Sequence, residues 1–145
     1  MSDVSIRIVE GRIDVESLID EVATVEDGGI TVFMGRARAQ TSGRPVRRLE
    51  YEAYVPMAET EMGKVVQRAR QTFGVERLGV VHRIGLVPLG EAAVVVVAAA
   101  PHRDASFKAC RFIIDEVKKT VPIWKNEFFE DGSVWVGDPD HPNSP

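Results

Sequence analysis

The longest unbroken apolar run in this chain is Ala92 to Pro101, AAVVVVAAAP. It is about half of the ~20 residues that a membrane-spanning helix requires, and it has no polar position with which a half-exposed strand would meet water. Such a run demands a strand covered by apolar groups on both faces, inside a thick core or an assembly. A chain of 145 residues is long enough to build that cover from a single domain.

The flanking sequence supplies the layers. Val4-Ser5-Ile6-Arg7-Ile8 alternates as a half-buried strand. Asp14 is a good N-cap for a helix carrying Val15, Leu18, Ile19 and Val22 on one side. A second strand opens at Ile30 and runs into the loop Gln40 to Pro45. A third, Val46 to Tyr54, sets Leu49, Tyr51 and Ala53 on one face and Glu50 and Glu52 on the other. Pro56 suits the first turn of a helix reaching Phe73, with Met62, Val65, Val66 and Ala69 inward.

Leu78 to Gly85 and Ala93 to Val97 are strands joined through Pro88-Leu89-Gly90-Glu91. Asp104 is expected to cap a long helix that Pro122 ends, and Asp131-Gly132 marks a hairpin between Ile123–Phe129 and Ser133–Val136. Roughly six or seven strands and about three helices in mixed order make an α+β domain with a mixed or antiparallel sheet. Residues 1-136 form one domain without repeats, and 137-145 (GDPDHPNSP) is a polar, proline-rich tail.

Composition narrows the function. A net charge of -4 and a pI near 5.4 argue against general capture of nucleic acid, which needs a basic face. The single cysteine, Cys110, has no internal partner, and the N-terminus MSDVSIRIVEGR has no apolar signal core, so a cytoplasmic protein without membrane attachment is expected. His82, His102 and His141 show no metal-ligand spacing among themselves or with Cys110, so no metal is expected.

Several basic residues are candidates for chemistry. On the long helix, Phe107, Cys110, Ile114 and Val117 project as one stripe with Lys118 at its margin, whereas Lys119 falls beside Lys108, Phe112 and Asp115. Lys118 is either a helix-end cation with its stem over the core or an amine turned into a pocket. Lys125 sits inside VPIWKNEFF, an otherwise core-like run, and the proline-broken turn between the two lysines lets both amines meet. Two neighbouring, partly desolvated ammoniums each favour loss of a proton, which makes a lysine a usable base or nucleophile. Glu127 reads as a cross-strand ion-pair partner.

Arg36, Arg38, Arg44, Arg47 and Arg48 surround one loop, as a solvated hairpin or as an anion site. His102-Arg103 precedes the long helix, whose N-terminus favours phosphate. His82-Arg83, within a strand, is read as mainly structural.

Together, Phe33-Met34-Gly35-Arg36-Ala37-Arg38, Leu49-Glu50-Tyr51-Glu52-Ala53-Tyr54 with Met57-Ala58, His82-Arg83-Ile84-Gly85, Pro101-His102-Arg103 and Pro122-Ile123-Trp124-Lys125-Asn126-Glu127 give a chain that resembles the large, catalytic subunit of molybdopterin synthase along nearly its whole length. The resemblance implies an α/β-hammerhead fold and a homodimer within a heterotetramer, with a small ubiquitin-like partner at each end. The partner's C-terminal Gly-Gly thiocarboxylate would donate sulfur to cyclic pyranopterin monophosphate, and two transfers would make the molybdopterin dithiolene without a cofactor or metal. It implies that Lys118 and Lys125 are catalytic and that Arg38, His102 and Arg103 hold the substrate's phosphate or a terminal carboxylate. Trp124 and Phe128 would wall the pocket, and Glu127 would orient Lys125. Many members of that family end in a longer basic segment, where this chain has its Asp-Pro-rich tail. The alternative from the residues alone is a noncatalytic module that binds a phosphate ligand or a partner.

Overall fold

In the computed structural model, which describes residues 4–137, the apolar run becomes strand β6 (Ala92–Ala100) and takes cover from helices on both sides. Its Val94, Val96, Ala98 and Ala100 face a core built with α2 (Val55–Phe73) and α3 (Arg103–Thr120). Its Val95, Val97 and Ala99 face a second core built with α1 (Val15–Val22). Each fully buried valine contributes roughly 1.5–3 kcal/mol relative to exposure. One chain therefore buries both faces of β6, and the run by itself does not call for a second copy.

The remaining strands are β1 (Val4–Glu10), β2 (Gly29–Arg36), β3 (Gln40–Thr41), β4 (Arg44–Ala53), β5 (Arg77–Val87), β7 (Ile123–Phe129) and β8 (Val134–Gly137). Their order is β2-β6-β5-β4-β7-β8, with β1 parallel to β5 and β3 paired with β4. The fold is α+β with three helices among the described residues, as the periodicities indicate. β5 links two halves of the sheet: Leu78 to Ile84 pair with β1, and Gly85 to Val87 pair with β4. Gly85, with φ of 82°, sits at that change of partner, a backbone setting that favours glycine. A third, smaller core of Ala37, Val46, Leu49, Val87, Ala93 and Phe129 lies under the second half. None of the described helices is long and apolar enough to cross a membrane.

Local signals account for most boundaries. Asp14 accepts a hydrogen bond from the Ser17 backbone at 3.0 Å and starts α1; Pro56 lies in the first turn of α2, and α3 stops at Thr120 before Pro122. The expected loop at residues 40–45 is instead a tight hairpin of β3 and β4. Ser42 and Gly43 both take positive φ, 51° and 78°, the setting of a type I′ turn whose twist matches the flanking strands. β8 reaches Gly137, the first residue assigned to the tail; the rest of the tail, His141 included, lies outside the described residues.

Two expectations for α3 are corrected. The N-cap is His102, without a side-chain capping bond, and Asp104 sits inside the first turn, paired with Lys108 at 3.1 Å. The buried stripe is Ser106, Ala109, Cys110, Ile113, Ile114 and Val117, while Phe107 is 58% exposed. Close approach of helix to sheet explains the rotation: the Ser106 hydroxyl donates to the Ala98 carbonyl at 2.8 Å and accepts from Thr31 of β2 at 2.6 Å. Small side chains permit that contact, and the large Phe107 turns outward.

Candidate functional site

The second half of the sheet places β4 beside β7 in antiparallel register, with Leu49 opposite Glu127, Tyr51 opposite Lys125 and Ala53 opposite Ile123. Directly opposed residues share a face, so Tyr51, Lys125 and Glu127 project together. At one end this face joins the main core through Ala53 and Ile123, and at the other the small core through Leu49 and Phe129. The core-like setting of VPIWKNEFF is thus accounted for: the lysine occupies a gap between two apolar clusters.

Lys125 is about a quarter exposed, and its Nζ lies 3.6 Å from Glu127 Oε1 and 5.9 Å from the centre of the Trp135 ring. Glu127 is buried. The Thr41 hydroxyl donates to its Oε1 at 2.9 Å, and its Oε2 has no hydrogen-bond partner. The tight β3–β4 hairpin is what brings Thr41 to this carboxylate.

Lys118 reaches the same place from the end of α3. Its side chain is exposed by surface area, yet crowding of the amine end by protein, then Lys125, then Arg38 push its pKa below the ordinary lysine value. Lys119, one residue on, is two-thirds exposed and pairs with Glu116 at 3.8 Å. Arg38 follows β2 and faces both Lys118 and Tyr51.

Two further residues complete the surroundings. His82 of β5 is buried, packs edge-on against the Tyr51 ring at 5.0 Å and has Nδ1 2.8 Å from the Arg83 carbonyl. Burial first, with the Lys118 charge opposing protonation as well, pushes its pKa down to about 4. Its imidazole is neutral at physiological pH, so Nδ1–H donates to that carbonyl. Burial and then the Glu127 charge push the Tyr51 phenol up to about 12.

One chain therefore gathers Arg38, Lys118, Lys125 and Glu127, the candidates named from sequence, with His82, which was read as mainly structural, and with Thr41, Tyr51 and Trp135, which were not singled out. His102 and Arg103 lie elsewhere. They begin α3, and fifteen residues at 1.5 Å per residue set Arg103 roughly 22 Å along the helix from Lys118. Trp124 and Phe128 occupy the opposite face of β7, where Trp124 packs against Tyr54 at 4.6 Å and Phe128 lies under Arg48 at 3.9 Å. Strand alternation puts them there; the aromatic beside Lys125 is Trp135, which is opposite Glu127 in β8. Most of the arginine loop is structural: Arg36 donates to the Gly90 carbonyl, Arg44 pairs with Asp131, and Arg48 stacks on Phe128.

Three cationic groups near a buried carboxylate and one neutral donor, the Tyr51 hydroxyl, can bind an anion and present an amine with weakened hold on its proton. Comparison with known proteins gives the family. The family model described as MoaE protein matches residues 8–120. A molybdopterin synthase catalytic subunit from Oryza sativa subsp. indica is 46% identical over 125 residues, 86% of this chain, and this chain spans 65% of that protein's length. One from Bacillus subtilis is 40% identical over 131 residues, covering 90% of this chain and 83% of that protein. The crystal structure of molybdopterin synthase from Staphylococcus aureus superposes with a TM-score of 0.86 at 31% identity, covering 94% of this chain and 98% of that one. With the family model spanning most of the chain and these relatives aligned along nearly all of it, the chain belongs to the MoaE protein family.

Proposed function

We propose that this chain is the catalytic subunit of a molybdopterin synthase, a sulfurtransferase that moves sulfur from the C-terminal thiocarboxylate of a small ubiquitin-like subunit to cyclic pyranopterin monophosphate. The observation that carries this reading is the meeting of Lys118, from a helix end, with Lys125, from a strand, beside Arg38. Arg38 and Lys125 hold the anionic groups of the two reactants. Lys118, whose proton is loosened by crowding of the amine end and by those two cations, meets the thiocarboxylate carbon or takes up the proton released. Glu127, anchored by Thr41, fixes where the Lys125 ammonium sits.

The reading includes a homodimer in which His102 and Arg103 come from the second copy. β2 is an edge strand among the described residues, and Ile30, Val32 and Met34 expose 44%, 37% and 41% of their surface along it. An unpaired apolar edge invites another strand. The start of β2 lies against α3, where a Cβ at Gly29 would fall 2.9 Å from Arg103 Cα, and its end leads to Arg38. Antiparallel pairing of two β2 edges about a two-fold axis sets start against end. It carries the second copy's His102 and Arg103 toward the first copy's Arg38 and Lys118, closing the 22 Å gap that helix geometry imposes within one chain.

The test mixes the purified protein, the thiocarboxylated small subunit and cyclic pyranopterin monophosphate, and follows dithiolene formation. Dithiolene is the expected product. Binding of the pterin or the small subunit without turnover would instead favour a noncatalytic binding module.

A further inference from the structure

Tyr51 stands out among the site residues because its hydroxyl has no hydrogen-bond partner among the described residues, although its neighbours are polar. Its ring is fixed from two sides, edge-on to His82 at 5.0 Å and opposite Lys125 in the strand register. The groups whose charge it feels are Glu127 and Arg38. Glu127 Oε1 is already engaged by Thr41 and Lys125, and its Oε2, which has no partner, makes no hydrogen bond with the Tyr51 hydroxyl. Arg38, Lys118 and Lys125 carry donors only. With its ionisation pushed up to about 12, the phenol keeps its proton at any physiological pH, so it too is a donor. Four donors on one side of the site fit a ligand that presents acceptors.

We infer that Tyr51 donates its hydroxyl proton in a hydrogen bond to the oxygen of the incoming thiocarboxylate and thereby decides which end of that ambident group faces the substrate. A thiocarboxylate offers one oxygen and one sulfur, sharing a negative charge. A hydroxyl bonds strongly to charged oxygen, whereas sulfur is a weak acceptor. With the oxygen held at Tyr51, the sulfur is left free and turned toward the pterin. Once the sulfur is bonded to the pterin, water adds to the acyl carbon, Lys118 taking its proton. Charge gathers on the oxygen held by Tyr51 and the bond strengthens, which is the condition for lowering a barrier. The acyl C–S bond then breaks to leave sulfur on the pterin and a carboxylate on the small subunit. No bond to Tyr51 forms or breaks, and the phenol is protonated before and after. This role rests on the sulfur-transfer reading and adds a substrate-touching residue to it.

The experiment is single-turnover sulfur transfer by Tyr51→Phe, which removes only the hydroxyl. The rate should fall about tenfold, the equivalent of one hydrogen bond of ~1.4 kcal/mol, while the thermal midpoint stays at the wild-type value. A second variant carries a ring-fluorinated tyrosine at position 51, whose phenol ionises at lower pH. It should lose activity on the alkaline side earlier than wild type, a displacement that a purely structural role would not produce. An active wild type with an equally active Tyr51→Phe, or a fluorinated variant whose pH profile does not move, overturns the role of Tyr51 and leaves the sulfur-transfer reading standing. A wild-type protein that makes no dithiolene overturns that reading, and this role with it.

Discussion

Lys118 and Lys119 are consecutive, exposed residues in different electrostatic surroundings: Lys118 feels the cations Lys125 and Arg38, while Lys119 pairs with the carboxylate of Glu116. The ~100° step between adjacent helical positions separates them. Lys118→Ala and Lys125→Ala should each lower single-turnover sulfur transfer by about 10²-fold or more, the scale of losing a positioned acid, base or nucleophile. Lys119→Ala should leave the rate unchanged, since an exposed ion pair is worth at most about 1 kcal/mol of stability. Equal losses at 118 and 119, or full activity without Lys125, would sink the assignment.

Arg38→Ala removes a charge-assisted contact to an anion, worth roughly 1.5–3 kcal/mol, so affinity for the pterin substrate should drop at least tenfold. Isothermal titration of the variant against wild type measures this directly.

A site shared between two copies predicts complementation. Lys118→Ala and Arg103→Ala should each be impaired alone. Mixed dimers should recover activity, because one site of each mixed dimer keeps both native residues, about a quarter of all sites in a random mixture. Mixtures no more active than the separate variants would place Arg103 outside the site.

The same arrangement makes the β2 edge the dimer contact. Val32→Glu buries a charge in that contact without touching either lysine, and charges buried unpaired are strongly unfavourable. Light scattering at micromolar concentration should show a dimer for wild type and a monomer for the variant. A monomeric wild type would refute the contact.

His82 predicts a pH dependence of stability. Its folded pKa, about 4, lies below the unfolded value near 6.5, so between these values the unfolded chain binds more protons than the folded one and stability rises with pH. The full contribution is present above 6.5. It is lost as the pH falls toward 4, up to about 3 kcal/mol at 1.36 kcal/mol per pKa unit. His82→Gln, which cannot be protonated, should flatten that acid limb in denaturant titrations; an unchanged limb would mean that His82 is not the group responsible.

What the sequence determined by itself was what short-range chemistry controls. Two-residue alternation placed Leu49, Tyr51 and Ala53 on one face, apolar spacing placed the inward side of α2, and Asp14, Pro122 and Asp131-Gly132 set boundaries, because capping, ring constraint and turn geometry act within a few residues. The family motifs marked Arg38, Lys118, Lys125 and Glu127 in the same way. Which residues meet was decided only in the tertiary structure. Tyr51 was visible as a strand residue, but its place beside Lys125 follows from the register of β4 against β7, a pairing between segments more than seventy residues apart. Phe107 turned outward because contact between α3 and the sheet selects Ser106 and Ala109, a packing constraint that helical spacing does not contain. Trp124 fell on the far face of β7 and Trp135 on the near one because strand pairing sets which alternate side chains share a pocket. The distance from Arg103 to Lys118 likewise follows from placing both on one rigid helix; proximity along a motif pattern carries no information about proximity in space.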